Sequence, residues 1–417
     1  MYLTWIVYAL CIALFVWGGK FAGFGKTQFH DDSASLDVTK SLRGFAALGV
    51  ILHHISQERT FQMAGGGNGH PGELSIFVNA GFYFVAIFFF CSGFGLIKSF
   101  KNKQNYLDGF IKNRIVKTLL IPFYVNVIIY GIARFASGER LPVVNWITNL
   151  LGLTMMNIYA WYPVVAVILY LAFYFTFNNI KNQKVCFALI AAVILLMGVI
   201  FCINGHFAWW AGPKNWWLHP DGWLKAKWWM VQKVFWFSGE WWVNSAPAFF
   251  VGLMFGQFED NIRSFFKKGY WLKIAAVLLL YLIFNMLSGL AQWELSYWSE
   301  WDGNGPGILN KLVCYLSQIP QVCFFVILLF VLMMKYYAVN PVGRFFGGIS
   351  YETYMMNLIP IFVFRFLIYK PGTDGQPLYA TGNSNLALYL LAVIAATVVL
   401  GLIFKLCNKL VYKLFKL

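Results

Sequence analysis

Apolar stretches of 16 to 26 residues recur eleven times along this 417-residue chain, at 3–18, 41–57, 75–97, 118–135, 160–177, 185–203, 242–257, 271–290, 309–334, 350–369 and 386–404. About 20 apolar residues carry a helix across a bilayer, and lipid admits spanning backbone only as helices or closed barrels. The pattern therefore predicts an all-α polytopic membrane protein with about eleven transmembrane helices. A composition 60% hydrophobic and 12% charged leaves no balance for a soluble fold. The stretch 143–158 is too short and polar for a span, and reads as an interfacial or re-entrant piece leading into Trp161.

The net charge of +16 would in a soluble protein point to nucleic acid. Here the basic residues concentrate in short loops, which makes them topological signals instead. Alternating the spans places loops 20–43, 98–117, 178–184, 258–273, 335–344 and 405–417 on one side, with 22 of the 32 Lys and Arg. The 289–308 loop falls on the other side, with Glu294, Glu300 and Asp302 and no basic residue. The positive side is cytoplasmic, so the N-terminus lies outside and the C-terminus inside. Residues 3–18 have no basic residue before them and Lys20 and Lys26 after, unlike a cleaved signal, and read as a retained anchor. The seven cysteines are scattered singly, which predicts neither a disulfide framework nor a metal site.

The most informative span runs from Lys40 to His54. Arg43 and His54 are eleven residues apart, about 16 Å of helical rise and within about 20° of one face. Ala47 and Val50, between them on that face, are too small to seal it, and His53 points away. Asp37 or Thr39 would cap the start of the helix. Ionisable groups are costly in lipid, so their presence marks function. Neutral imidazole is the form that a general base needs, and Glu58, one turn beyond, would orient it.

Two further stretches carry polar groups. In 88–118, Ser92, Gly93 and Gly95 thin a helix and permit close backbone approach. Arg114 and Lys117 follow at a helix N-terminus suited to anions, and Pro122 would kink or open that helix. In 343–360, Glu352 opens an apolar helix and needs a partner, for which Arg43 is the candidate. Region 205–242 holds ten of the eighteen tryptophans, with His206, Lys214, His219, Asp221, Lys225 and Lys227 between them. It reads as an aromatic belt combined with a sugar platform that uses Trp216, Trp217 and Trp241.

These three stretches, in this order, resemble the acyltransferase-3 family of integral membrane O-acyltransferases. Arg43-Gly44-Phe45-Ala46 with His54 matches its first-helix signature. Phe88-Phe89-Phe90-Cys91-Ser92-Gly93-Phe94 is similar to its Phe-Phe-x-x-Ser-Gly-Phe turn, and Arg114 with Lys117 to its basic segment. Gly347 through Tyr354 matches its late Gly-x-Ile-Ser-Tyr-Glu-x-Tyr element. Where the family often has histidine this chain has Asn357, which can bond a substrate but cannot transfer a proton at neutral pH. The resemblance covers about residues 36–405, leaving 1–25 as an added anchor and 406–417 as a basic cytoplasmic tail.

The resemblance implies transfer of an acyl group, in the first instance acetyl, from cytoplasmic acyl-CoA to a hydroxyl of a cell-surface glycan or glycolipid precursor. It also implies residence in a bacterial inner membrane, contact with membrane lipid, and no metal or nucleic acid. In that scheme His54, Arg43 and Glu352 form the catalytic set and Arg114, Lys117, Ser92 and Gly93 hold acetyl-CoA. Trp216, Trp217, Trp241 and Asn357 meet the acceptor. Two rivals stand beside it. A flippase or transporter of a lipid-linked glycan would also use intramembrane charge, though no internal repeat is present. A scaffold or sensor would not need an arginine and a histidine on one face.

Overall fold

The structure, a computed structural model, describes residues 2–64, 74–205, 216–236, 239–297, 307–371, 377–379 and 383–417. It is all-α apart from two short antiparallel strand pairs. Among the described residues seven helices are long and apolar enough to cross a membrane: Gly81–Asn102, Ile111–Ala136, Tyr162–Asn179, Gln183–Asn204, Tyr270–Glu294, Ile308–Met333 and Asn385–Leu414. Only 11% of the most apolar part of Tyr270–Glu294 is buried in protein, as expected of a face solvated by lipid. The Leu36–Ala64 helix is less hydropathic because it carries Arg43, His53, His54 and Glu58.

Several spans depart from the expected outline for identifiable reasons. The span expected at 75–97 is broken. Leu74 adopts the left-handed conformation before a one-turn helix Ser75–Val78, and the long helix starts afresh at Gly81. The span expected at 242–257 shrinks to Pro247–Gln257, because Gly239–Trp242 forms a 3-10 turn and Pro247 sits in the opening turn. The span at 350–369 divides into Ser350–Met356 and Leu358–Val363. Pro360 has no N–H for the carbonyl of Met356, so the ladder opens at Asn357. Finally, 143–158 becomes the eight-residue helix Val143–Leu150 followed by a polar turn, in which Asn149 bonds Asn145 O at 2.7 Å and Thr154 Oγ1 at 2.9 Å.

Packing divides the chain into two compact units, Met1–Phe88 with Met333–Lys416, and Phe89–Leu332. In the first, the Leu36–Ala64 helix packs most extensively on Pro341–Gly348. Glycine makes this possible: a Cβ on Gly44 would lie 2.0 Å from Gly343 O, and one on Gly347 would lie 2.0 Å from Lys40 O. Gly343 and Gly347 are spaced as in small-xxx-small helix pairs. The helix begins at Leu36, capped from Ser35, whose Oγ accepts from Val38 N at 3.4 Å. Asp37 and Thr39 are therefore not its caps, and Asp37 instead pairs with Arg344 at 2.7 Å.

The N-terminal anchor is fastened to this unit. Lys20–Phe21 pairs antiparallel with Tyr336–Tyr337, and Asn340 Nδ2 donates to Leu14 O at 2.7 Å and Trp17 O at 3.1 Å. Lys335 Nζ, almost fully buried, donates to the carbonyls of Gly23, Gly25 and Gln28. In the second unit, glycines again set the approach. A Cβ on Gly93 would lie 2.1 Å from Phe249 O, and one on Gly252 would lie 2.2 Å from Phe90 O.

Candidate active site

His54 stands in the interior of the Leu36–Ala64 helix and is 5% exposed. Its Nδ1 is 2.8 Å from Oδ1 of Asn357, the residue at which the helix ladder opens. The Asn357 amide nitrogen faces two backbone carbonyls, Thr353 O at 3.2 Å and Tyr354 O at 2.8 Å. Carbonyls only accept, so the amide is fixed with its nitrogen toward them and its oxygen toward the imidazole. Nδ1 must then donate, which makes Nε2 the basic nitrogen. This corrects one expectation: the group that orients His54 is Asn357, not Glu58. Glu58 is engaged by Arg365, with Nε to Oε1 at 2.5 Å and a second guanidinium nitrogen to Oε2 at 2.8 Å.

His53 has a different task. Its Nδ1 bonds Phe77 O at 2.7 Å, and its Nε2 would lie 2.2 Å from a Cβ on Gly81. It clamps the turn that starts the next long helix.

Arg43 is half-buried and its Nε reaches Thr39 O at 3.4 Å. The ion pair expected with Glu352 is not a direct contact among the described residues. Glu352 instead meets Lys405 at 4.0 Å. Lys405 is in turn held by Gly348 O at 2.7 Å. Ala47 and Val50 are fully buried, so the face between Arg43 and His54 is packed and not open as their small size suggested.

In the second unit, Ser92 lies within the continuous helix Gly81–Asn102 and not at a turn. Its hydroxyl is 3.0 Å from that of Tyr162. The gap over Gly93 is filled by the backbone of Pro247–Gln257, whereas Gly95 faces open space. Arg114 and Lys117 occupy a ten-residue π-helix, Ile111–Leu120, that runs straight into Ile121–Ala136. Pro122 sits in the opening turn of Ile121–Ala136, just where the wider winding ends. Arg114 lies over the ring of Tyr106 with its Cζ 5.7 Å from the centroid.

The tryptophans separate. Trp216 is 4% exposed and packs edge-on against Trp217 and Trp223, at centroid distances of 6.2 and 5.2 Å. Trp216 thus forms the base of the cluster and not an open stacking surface. Trp241 belongs elsewhere: its Nε1 donates to Tyr297, whose hydroxyl donates to Glu240. Glu240 also pairs with Lys311 at 3.1 Å, both essentially unexposed. The sequence reading missed this pair. Its only signal was Lys311 itself, a charge near the start of an apolar span. His206, Lys214, Glu300 and Asp302 lie outside the described residues.

Seven helices long and apolar enough to cross a membrane, among the described residues, and a buried histidine bonded to Asn357 mark an integral membrane protein with a buried polar site. The acyltransferase-3 family, described by its acyltransferase domain, matches residues 35–405, and the chain belongs to that family. It is an acyltransferase of the membrane. No curated protein and no solved structure matches it significantly.

Proposed function

We propose that this chain moves an acyl group, in the first instance acetyl, from cytoplasmic acyl-CoA to a hydroxyl of a cell-surface glycan or glycolipid precursor. The observation that carries the reading is the Asn357–His54 hydrogen bond of 2.8 Å at Nδ1, which supports a role for Nε2 as the base. His54 Nε2 accepts the acceptor hydroxyl proton as the oxygen attacks the thioester carbonyl. The tetrahedral intermediate collapses with cleavage of the C–S bond, and the imidazolium returns that proton to the leaving CoA thiolate.

The helical rise of about 16 Å between His54 and Arg43 decides between the roles open to Arg43. An oxyanion forming beside His54 is out of its reach, since such donors act at about 3 Å. Arg43 instead receives a polar part of the donor remote from the thioester. The donor does not lie over the packed Ala47 and Val50. Arg114 and Lys117 attract the CoA phosphates. Ser92, held in place by the close packing of Gly93, offers a hydroxyl to the pantetheine amides. Trp217, with Trp216 against it, and separately Trp241, beside Tyr297, contact the sugar. A bacterial inner membrane, N-terminus outside and C-terminus inside, brings cytoplasmic CoA and an outward acceptor to one protein.

The test is transfer from radiolabelled acetyl-CoA by protein reconstituted in lipid, with surface-glycan mass spectrometry of cells carrying or lacking the gene. His54→Gln should lower transfer by about 100- to 10,000-fold, the usual contribution of general-base help. Transfer by that variant at the normal rate removes His54 from the mechanism. A carrier of lipid-linked glycans would instead leave the acetyl label on CoA while moving the glycan.

A further inference from the structure

We infer that Arg365 is a positioning residue for His54, acting through Glu58; the inference rests on reading His54 as the base. Glu58 follows His54 by one turn on the Leu36–Ala64 helix, and Arg365 sits in the 3-10 turn Phe364–Leu367 that closes the segment bearing Asn357. The same two stretches of chain are thus joined twice, by His54–Asn357 at 2.8 Å and by the Glu58–Arg365 ion pair, which has one hydrogen bond of 2.8 Å to Oε2 and a close Nε–Oε1 approach that is not itself a hydrogen bond. A charge-assisted hydrogen bond backed by a second close approach of opposite charge ties the two segments more firmly than a neutral contact would. The Glu58 side chain is 10% exposed and that of Arg365 39%, so the pair is sheltered on the Glu58 side and open to solvent on the other. Arg365 is further held flat over Phe362, 4.0 Å from the ring centroid.

Such a brace is needed because the Asn357 segment lacks a continuous helix to hold its angle. Met356 ends one short helix, Leu358–Val363 is the next, and Pro360 interrupts the ladder between them. The Asn357 amide meets Nδ1 only if this segment keeps its orientation toward the Leu36–Ala64 helix. Removing the brace lets Asn357 swing, and the imidazole then loses its reason to keep the proton on Nδ1. Loss of alignment of this kind reduces turnover far more than donor affinity.

The experiment uses full-length protein in lipid labelled with [15N]histidine, the His54 signal being the one absent from His54→Gln. Wild-type His54 should show a protonated Nδ1 and a bare Nε2. In Arg365→Ala the signal should become a mixture of both tautomers, with kcat down about tenfold or more and KM for acetyl-CoA within about twofold. The exchange Glu58→Arg with Arg365→Glu should restore both the tautomer and turnover, whereas a bare tether for stability would restore only the melting temperature. An unchanged His54 tautomer in Arg365→Ala overturns the inference. A lost tautomer with undiminished transfer upholds the positioning role and removes His54 as the base. If Arg365→Ala does not fold, the exchange variant and Arg365→Lys carry the test, and a mixed tautomer in the exchange variant overturns the inference.

Discussion

A neutral imidazole can present either nitrogen as base, and for His54 the choice is made by a residue 303 positions away in the chain. Asn357 can impose it because its own amide is fixed by the carbonyls of Thr353 and Tyr354. An aspartate there would accept the same bond but would also stabilise the imidazolium, holding the proton that must reach the thiolate. Asn357→Leu leaves the imidazole N–H buried and unsatisfied, which costs about 1–3 kcal/mol. Transfer should therefore fall about 10- to 100-fold while acetyl-CoA binding, measured by calorimetry, is retained. The spacing of Arg43 and His54 was legible because helical period is a local property. The partners of His54, Glu58 and Glu352 were not, because each contact joins residues whose separation carries no periodic signal. Glu58 was assigned to the nearest titratable neighbour in sequence, and folding gave it to Arg365 instead.

At the level of elements, glycine was readable as a sign of close approach, but not which helix would approach. Gly93 was read as a place of close backbone approach, and the backbone that approaches it is that of Pro247–Gln257. Gly44 appeared only as part of a signature, and it turns out to seat Pro341–Gly348 against the helix of the base. Gly347→Val would drive a branched side chain into Lys40 O, and overpacking of this kind costs about 1–3 kcal/mol. A fall of several degrees in the detergent melting temperature is expected. Gly95 meets nothing within 4 Å, so Gly95→Ala should change stability by no more than about 1 kcal/mol. The π-helix was hidden for another reason. Pro122 announces a disturbance of the ladder, yet proline alone does not say whether the helix bends or widens. Its widened turns carry both Arg114 and Lys117, half-buried on a spanning helix. Arg114→Ala and Lys117→Ala should each raise KM for acetyl-CoA several-fold with kcat little changed, as loss of ground-state binding does. That loss should shrink as salt is raised from 50 to 300 mM, because exposed charge attraction is screened.

Over the whole molecule, alternation of the spans makes a stronger demand than any one loop, since every loop on one side must find its neighbours among the others on that side. In the first unit, Lys20–Phe21 meets Tyr336–Tyr337, joining the 20–43 and 335–344 loops. In the second, Lys98 pairs with Glu259 at 2.5 Å and Gln257 bonds Gln183 at 3.0 Å, joining 98–117, 178–184 and 258–273. The opposite set is likewise self-contained. Lys233 reaches Ile203 O at 2.6 Å, Trp236 reaches Gly152 O at 3.0 Å, and Tyr297 bonds Glu240. Loops that share contacts must share a side, so one labelled position in each contact group of each unit fixes the side of that group. The native cysteines are buried or half-buried, and a membrane-impermeant maleimide on intact cells gives a low background. Lys225→Cys, exposed among the tryptophans, should be labelled on intact cells. Lys103→Cys and Lys413→Cys, exposed in the other set, should react only after permeabilisation. The reverse pattern would put the Arg114–Lys117 segment on the side without CoA and end the proposed direction of transfer, whereas the His54–Asn357 geometry would stand unchanged.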